Sequence, residues 1–245
     1  MKKLLGSTLA ASAAMLGATA VGSGTANAEA AWSFNAGVAT DYVFRGIDQT
    51  TPVSSGEVFG GADLSVDSFY AGIWLSSTGP NDIDNGLEYD LYAGWKPTVG
   101  GVNLDLGAIF YGYNDSDLGL VSSAYNYAEL KAAASVPVGD VTLGAALYYA
   151  WDFNGSDTDA EYIEANAAYT FKNKATLSGA FGRQYLDENY WGVDGYNTGN
   201  VGVTYPITDH VTIDARYIDA DSDASALGGP AAVDGKAVVT LKAAW

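Results

Sequence analysis

Apolar side chains alternate with polar or small ones along most of this chain, and this period of two constrains the fold more than any other feature. In one such segment Leu87, Leu91 and Trp95 share a face, whereas Glu88 and Asp90 lie on the opposite one. Successive side chains of a β-strand point to opposite faces, so the pattern gives each strand an apolar face and a wet face. A helix would repeat with a period of about 3.6 residues, so the sequence predicts an all-β protein.

Twelve segments of the chain fit this pattern. Most have about 9–13 residues, close to the roughly 9–11 that a tilted strand needs to cross a bilayer. They cover residues 32–45, 58–66, 69–75, 87–96, 102–110, 128–136, 141–151, 163–171, 175–181, 197–205, 211–217 and 237–245. An even number of strands joined in sequence brings both ends of the barrel chain to the same side of the membrane.

The connections between these segments are of two kinds, which alternate along the chain. Five are short and rich in Pro, Gly and Asn, the residues of tight turns; they lie near residues 67–68, 97–101, 137–140, 172–174 and 206–210. Six are longer and hold about half of the 29 acidic residues; they lie near residues 47–55, 76–86, 114–123, 152–160, 186–195 and 219–235. Bacterial outer-membrane barrels show this asymmetry, with short periplasmic turns and longer outside loops.

A soluble β-sandwich is the rival fold, because its strands also alternate between apolar and polar residues. Aromatic residues near the ends of the apolar faces favour a membrane barrel, which carries an aromatic girdle at each interface. These residues are Trp32, Phe44, Trp95, Phe110, Tyr149, Trp151, Phe171, Tyr205, Tyr217 and Trp245. We therefore predict a transmembrane antiparallel up-and-down β-barrel of about twelve strands.

The first 28 residues have the features of a cleavable signal peptide. Lys2 and Lys3 precede an apolar stretch, and Ala26-Asn27-Ala28 matches an A-x-A cleavage site. A transmembrane helix is the alternative, but Gly and Ser interrupt the stretch and no charged stop-transfer flank follows it. No later window approaches the roughly 18 apolar residues of a membrane helix. We expect a signal peptide over residues 1–28 and an outer-membrane barrel over residues 29–245.

Composition disfavours several classes of partner and chemistry. The net charge of −18 argues against nucleic acid, because phosphate neutralisation requires a basic surface. The absence of cysteine removes disulfide scaffolds, thiolate metal sites and cysteine nucleophiles. The acidic outer loops would lie beside lipopolysaccharide bridged by divalent cations. The last strand, which ends in Trp245, resembles the signal that the outer-membrane assembly machinery reads.

If the apolar parity of each strand faces lipid, the opposite parity lines the interior. An ionisable side chain in a spanning strand is costly unless it faces water or a partner, so the charged residues of this parity are the candidate pore lining. They are Asp41, Arg45, Glu57, Asp63, Glu88, Asp90, Lys96, Asp105, Glu129, Lys131, Glu164, Asp214 and Arg216. Acids outnumber bases, which predicts a modest cation preference. Twelve strands are also compatible with a lumen closed by salt bridges, because smaller barrels are filled and larger ones are open.

No motif of the chain indicates catalysis or a cofactor. The single histidine, His210, lies in a predicted periplasmic turn, so the nucleophile of an enzymatic barrel would lack its usual base. Residues 219–223 alternate Asp as a calcium loop does, but Ala224 and Pro230 stand where Gly and Glu are required. That loop keeps only weak surface binding of Ca²⁺ open. We expect no enzyme activity, no cofactor and no dedicated metal site.

One stretch, residues 40–50, reads TDYVFRGIDQT and follows closely on the predicted signal peptide. It resembles the S/T-x-Y-x-F-R-G-x-S-Q opening of the TorF family of bacterial outer-membrane porins, with Asp48 in place of the usual small hydroxyl residue. Residues 69–77 and 87–95 agree with the same family, in order along the chain. The resemblance implies a porin-like barrel and names no solute or binding residue.

The sequence therefore predicts an outer-membrane channel for passive diffusion of ions and small solutes. Two alternatives stay open: a plugged structural or adhesive barrel that acts through its acidic outer loops, and an enzymatic barrel. The loops, at most about 17 residues long, are short for an adhesin.

Overall fold

The computed structural model describes residues 30–50, 56–78, 86–113 and 125–245. Within these ranges the chain forms twelve long antiparallel strands, which we number β1 to β12 in chain order. They are Ala31–Ala39, Glu57–Val66, Phe69–Ser77, Leu87–Trp95, Val102–Tyr113, Tyr127–Val138, Val141–Ala150, Ala160–Thr170, Thr176–Leu186, Gly195–Pro206, Val211–Ala220 and Lys236–Ala244. Two-residue strands lie at Val43–Phe44, Ile47–Asp48 and Thr98–Val99, and helical turns at Phe153–Gly155, Glu188–Trp191, Ser222–Ala224, Ser225–Gly228 and Pro230–Ala232.

The twelve strands close into a barrel. Each pairs with the strands before and after it, and β1 pairs with β12 through register partners such as Asn35 with Ala244. Backbone hydrogen bonds between Phe34 and Trp245 extend this seam to the last residue. Closure removes the free sheet edges that an open sheet would expose, and the predicted antiparallel barrel is confirmed.

Helices contribute little to this architecture. Across residues 30–50, 56–78, 86–113 and 125–245, no helix is long and apolar enough to cross a membrane.

The outer face of the barrel is an exposed apolar surface. Leu91, Leu147 and Val201 expose between 42% and 53% of their surface. Leaving such a side chain in water forfeits about 1.5–3 kcal/mol relative to burial, so an extended belt of them requires lipid. Exposed aromatic side chains lie near the strand ends, among them Trp32, Phe69, Trp95, Trp151, Tyr205 and Trp245. This is the distribution that a bilayer with two interfaces favours.

A charge placed on this belt is expected to destabilise the barrel in lipid. Leu91 lies at the centre of β4 and is 47% exposed, so Leu91→Arg should lower the free energy of unfolding by about 2–4 kcal/mol. Ile207→Arg is the matched control, because Ile207 is similarly exposed, at 53%, but lies in a turn outside the belt. Urea unfolding in phospholipid vesicles measures both, and equal losses in the two variants would contradict the assignment of the belt.

The first strand is shorter than the sequence predicts. The prediction of a strand over residues 32–45 is wrong beyond Ala39, where β1 ends and the chain turns into the lumen. Phe44, predicted to join the lipid-facing girdle, packs inside the barrel against Tyr111 with ring centroids 5.8 Å apart. Tyr42 and Phe44 keep the apolar parity of β1, so alternation alone conceals the break.

The register of β2 and β3 follows the alternation. Phe59, Trp74 and Ser76 are buried inside, while Val58 and Leu75 are exposed outside. The predicted signal peptide, residues 1–28, lies outside the described residues, as do residues 51–55, 79–85 and 114–123 of the predicted loops.

Candidate functional site in the barrel lumen

The two ends of the barrel are built differently. At one end, which also holds Trp245, turns of two to six residues join the strands; at the other end the connections are longer and include residues 40–56 and 221–235. We call these the short-turn end and the long-loop end. The interior changes character between them.

Eleven of the thirteen predicted lining residues belong to barrel strands or to the adjoining turn, and the other two belong to the segment after β1. Five wall carboxylates towards the long-loop end are buried: Glu57, Glu88, Asp90, Glu129 and Glu164. Six charged residues lie nearer the short-turn end and keep part of their surface exposed: Asp63, Lys96, Asp105, Lys131, Asp214 and Arg216. The remaining two, Asp41 and Arg45, were expected on the wall of β1, but the structure places them on a hairpin that enters the lumen.

This lumen hairpin, residues 41–50, is the central feature of the interior. Its two short strands pair Val43 with Asp48 and Phe44 with Ile47. The turn between them consists of Arg45 and Gly46, with φ of 47° and 83°. Two successive positive φ values are the mark of the type I′ turn that suits a two-residue hairpin.

Gly46 is required at the tip for a second reason, which is space. A Cβ at this position would lie 2.6 Å from Thr198 Oγ1 and 2.7 Å from the Cβ of Ala220. The hairpin tip therefore touches the wall at β11 and β10, which lie two and three strands from β1 on the far side of the β12 seam.

Arg45 anchors the hairpin in a closed polar and aromatic site. Its Nη1 and Nη2 donate to Glu129 Oε1 and Oε2 at 2.8 and 2.7 Å, and Nη1 also donates to Gln184 Oε1 at 3.1 Å. The guanidinium carbon lies 4.8 Å from the ring centroid of Tyr148 and 4.3 Å from that of Tyr162. Arg45 is only 4% exposed, so removing one partner of this ion pair would leave the other charge buried and uncompensated.

Further contacts hold the two arms of the hairpin. Tyr42 donates its hydroxyl hydrogen to Glu88 at 3.1 Å and packs edge-on against Trp74. Asp48 forms an ion pair with Lys236 of β12 and accepts hydrogen bonds from the backbone and hydroxyl of Thr50. The hairpin is thereby tied to β3, β4, β6, β9 and β12.

The long-loop half of the lumen is packed like the core of a soluble protein. Ile47 of the hairpin belongs to a buried cluster with Tyr111, Tyr127, Phe153 and Ala224. Phe153 and Ala224 come from helical turns of the loops, so the loops cover the hairpin from outside. Among the described residues, the inner wall at this level carries side chains of large volume with little exposure.

The short-turn half is lined by small and polar residues that solvent reaches. Asp105 accepts hydrogen bonds from Tyr70 and Lys131 at 2.7 Å each, yet both members of the Lys131–Asp105 pair stay partly exposed at 13% and 15%. These side chains face inward, so their exposure comes from the lumen itself. Lys96, in the turn after β4, lies 3.8 Å from Asp105; burial lowers the pKa of its ammonium group, and the carboxylate opposes that shift.

Opposite this pair, a second polar group occupies β9, β10 and β11. Arg216 donates to Asn200 at 2.6 Å, to Ser178 at 2.9 Å and to Asp214 at 3.2 Å. Every charge of this group is thus neutralised by a neighbour on the wall, without any contribution from the hairpin.

Two tyrosines of this half lie flat along the wall over glycines of neighbouring strands. A Cβ on Gly72 would come within 2.5 Å of the ring of Tyr92, and one on Gly94 within 2.5 Å of the hydroxyl of Tyr70. The glycines therefore give the rings room to lie against the sheet, and the hydroxyl of Tyr92 reaches Asp63 at 2.6 Å.

Sequence reasoning missed the residues that make the lumen a site. Gln184 was not a candidate because an uncharged amide on the wet face of a strand carries no distinctive signal, and Tyr42 was expected to face lipid. The Arg45-Gly46 pair, the most specific part of the family resemblance, was the available clue, because Gly at such a position indicates a turn.

The family model of Gcw_chp, described as a bacterial protein of unknown function, matches residues 23–245. This chain belongs to the Gcw_chp family. A search of the curated proteins finds no match. Among solved structures, the NanC porin aligns with a TM-score of 0.55 and 10% identity over 86% of this chain and 98% of that one. The KdgM porin, solved in complex with disordered oligogalacturonate, aligns with a TM-score of 0.53 and 8% identity over 86% of this chain and 96% of that one. At such identities, the likeness of this Gcw_chp member to both porins shows a shared barrel fold.

Proposed function

We propose that this Gcw_chp protein is a porin-like channel of the bacterial outer membrane, through which ions and small solutes diffuse passively. The observation that carries the proposal is the solvent-reached polar wall of the short-turn half, inside a closed barrel with an apolar outer belt. A barrel that served only as an anchor would not require a hydrated interior. The resemblance of residues 40–50 to the TorF porin family supports the same proposal, and membership of that family is part of it.

In this proposal the hairpin is the closed gate of the channel. Its side chains fill the long-loop half, and displacing it would break the contacts that Tyr42, Arg45 and Asp48 make with the wall. Displacement would separate Arg45 from Glu129 and leave the wall carboxylates of this half facing water, which favours cations. We therefore propose a modest cation preference for the open state.

The proposed setting follows from the same barrel. The long-loop end would face outward beside lipopolysaccharide, and the strand ending in Trp245 would be presented to the assembly machinery before β1 and β12 pair. The proposal assigns the protein no enzymatic activity and no nucleic-acid partner, and it keeps the signal peptide over residues 1–28.

A permanently plugged barrel that acts through its outer loops is the second candidate. The observation that favours it is the burial of the Arg45–Glu129 pair, with both side chains at most 3% exposed. Such a pair would be expected in a core that never opens as well as in a gate.

Single-channel recording distinguishes the two candidates. The refolded barrel in a planar bilayer under a salt gradient should show infrequent discrete openings, because the hairpin closes the lumen most of the time, with a reversal potential on the cation side. An anion-side reversal potential would refute the selectivity. A folded, heat-modifiable wild-type barrel that stays silent, while the variant without the hairpin conducts, would refute gating and support the permanently plugged alternative. Silence of both barrels would refute the channel itself.

A further inference from the structure

The surroundings of Arg45 form a complete recognition site for a planar cation. Both carboxylate oxygens of Glu129 and the amide oxygen of Gln184 accept its N–H groups, and two tyrosine rings lie within 5 Å of the guanidinium carbon. A bidentate carboxylate and aromatic faces are the two means by which proteins recognise guanidinium groups. These groups contact the guanidinium group of Arg45 and not the hairpin backbone that carries it.

The wall supplies these groups from four consecutive strands, β6 to β9. Tyr148 is the register partner of Tyr162, and Tyr162 is the register partner of Gln184, so the three side chains stand in one row across the sheet. Glu129 pairs with a residue two positions from Tyr148. The geometry of the row is set by the barrel's own hydrogen bonds.

Contacts behind the row hold the side chains without the hairpin. Gln184 Nε2 donates to the carbonyl oxygen of Glu161 at 3.1 Å, which turns the amide oxygen towards the lumen. Tyr111 donates its hydroxyl hydrogen to Glu129 Oε2 at 3.0 Å. The site is therefore preorganised and would persist when Arg45 leaves it.

We propose that Glu129, Gln184, Tyr148 and Tyr162 form a binding site for small organic cations that carry a guanidinium group, and that Arg45 occupies this site as a tethered ligand. Arg45 has φ of 47°, a conformation that side-chain-bearing residues disfavour, whereas a free ligand carries no such strain. Ligand and hairpin compete for one place. The passage of such cations through the barrel rests on the channel function proposed above; their binding does not.

The test is chemical rescue of Arg45→Ala, which empties the site and leaves the wall intact. Titration of the refolded variant with N-ethylguanidinium, followed by calorimetry, should give one saturable site with a dissociation constant on the order of 1 mM, as expected for so small a ligand. The same ligand should raise the thermal midpoint of the variant in a saturable manner. The wild-type barrel, whose site Arg45 fills, should bind at least about tenfold more weakly.

Two controls make the result specific. Adding Glu129→Gln to Arg45→Ala should weaken binding about tenfold or more, because the charge-assisted bidentate contact is lost. Arg216→Ala empties another guanidinium position, one without a cation–ring contact among the described residues. It should bind the ligand more weakly than Arg45→Ala. Equal binding by Arg45→Ala, Arg216→Ala and wild type, or no binding by a folded Arg45→Ala barrel, would overturn the proposal. A barrel that binds but never conducts would refute the channel and leave the site standing.

Discussion

Arg45→Ala is expected to lower the free energy of unfolding in urea by about 3–5 kcal/mol, because Glu129 then stays buried without its partner. The backbone at this position keeps the same positive φ in the variant, so the loss reports the guanidinium group. The comparison is Arg216→Ala, because its ion-pair partner Asp214 stays 21% exposed; the loss in this variant should be about 1–3 kcal/mol. Urea titration in detergent measures both.

A double substitution separates the ion pair from the space it fills. Arg45→Met with Glu129→Leu replaces both charges by apolar groups of similar length, and such exchanges of buried pairs are often neutral or stabilising. We expect the double variant to recover most of the stability that Arg45→Ala loses. A loss below about 1 kcal/mol for Arg45→Ala would contradict the buried, unrelaxed site described here, and the hairpin would then contribute little to the fold.

Removal of the lumen hairpin is expected to give a barrel that stays open. Ala39 and Glu57 are already register partners of β1 and β2, so a short Gly-Ser turn can replace the segment between them without disturbing the wall. The variant should conduct without the closures of the wild type and with a stronger cation preference, since no arginine offsets the wall carboxylates. Adding Glu129→Gln to this variant should reduce the cation preference measured in a salt gradient.

A reversible lock tests the same motion in the opposite direction. A Cβ on Gly228 would lie 3.9 Å from the Cβ of Ile47, within the range of a disulfide, and the chain contains no cysteine that could interfere. The same Cβ would lie 2.8 Å from the Cβ of Ala232, so Ala232 is changed to Gly as well. The triple variant Ile47→Cys, Gly228→Cys, Ala232→Gly should fall silent when oxidised and regain openings when reduced. If the oxidised variant conducts as freely as the reduced one, the hairpin does not gate the lumen.

The parity of the strands could be predicted from the sequence, and with it the inward direction of residues such as Glu88, Glu129 and Lys131. Alternation reports which face a side chain takes, because lipid and the interior differ in polarity at every strand. It does not report where a strand leaves the sheet. Tyr42 and Phe44 continue the lipid-facing parity of β1, and an aromatic lumen accepts these side chains equally well. Alternation therefore predicts a first strand that runs to Arg45.

The partners inside the lumen could not be predicted for a related reason. Arg45 and Glu129 are 84 residues apart, and Arg45 and Gln184 are 139 apart. Such contacts depend on the closure of the whole barrel and on how far the hairpin reaches across it. The residue pattern within one strand indicates neither how the barrel closes nor how far the hairpin reaches.

The tyrosines that lie over Gly72 and Gly94 have a consequence for the bore of the barrel. A ring laid flat on the sheet thickens the wall by little more than its own depth, whereas an upright ring would reach towards the axis. The inner diameter of the short-turn half is therefore set by glycines of the wall. Each of these glycines lies on the strand next to the one that carries the tyrosine ring. One methyl group added at Gly72 or Gly94 would tip a tyrosine inward and narrow the passage, although neither glycine comes near its centre.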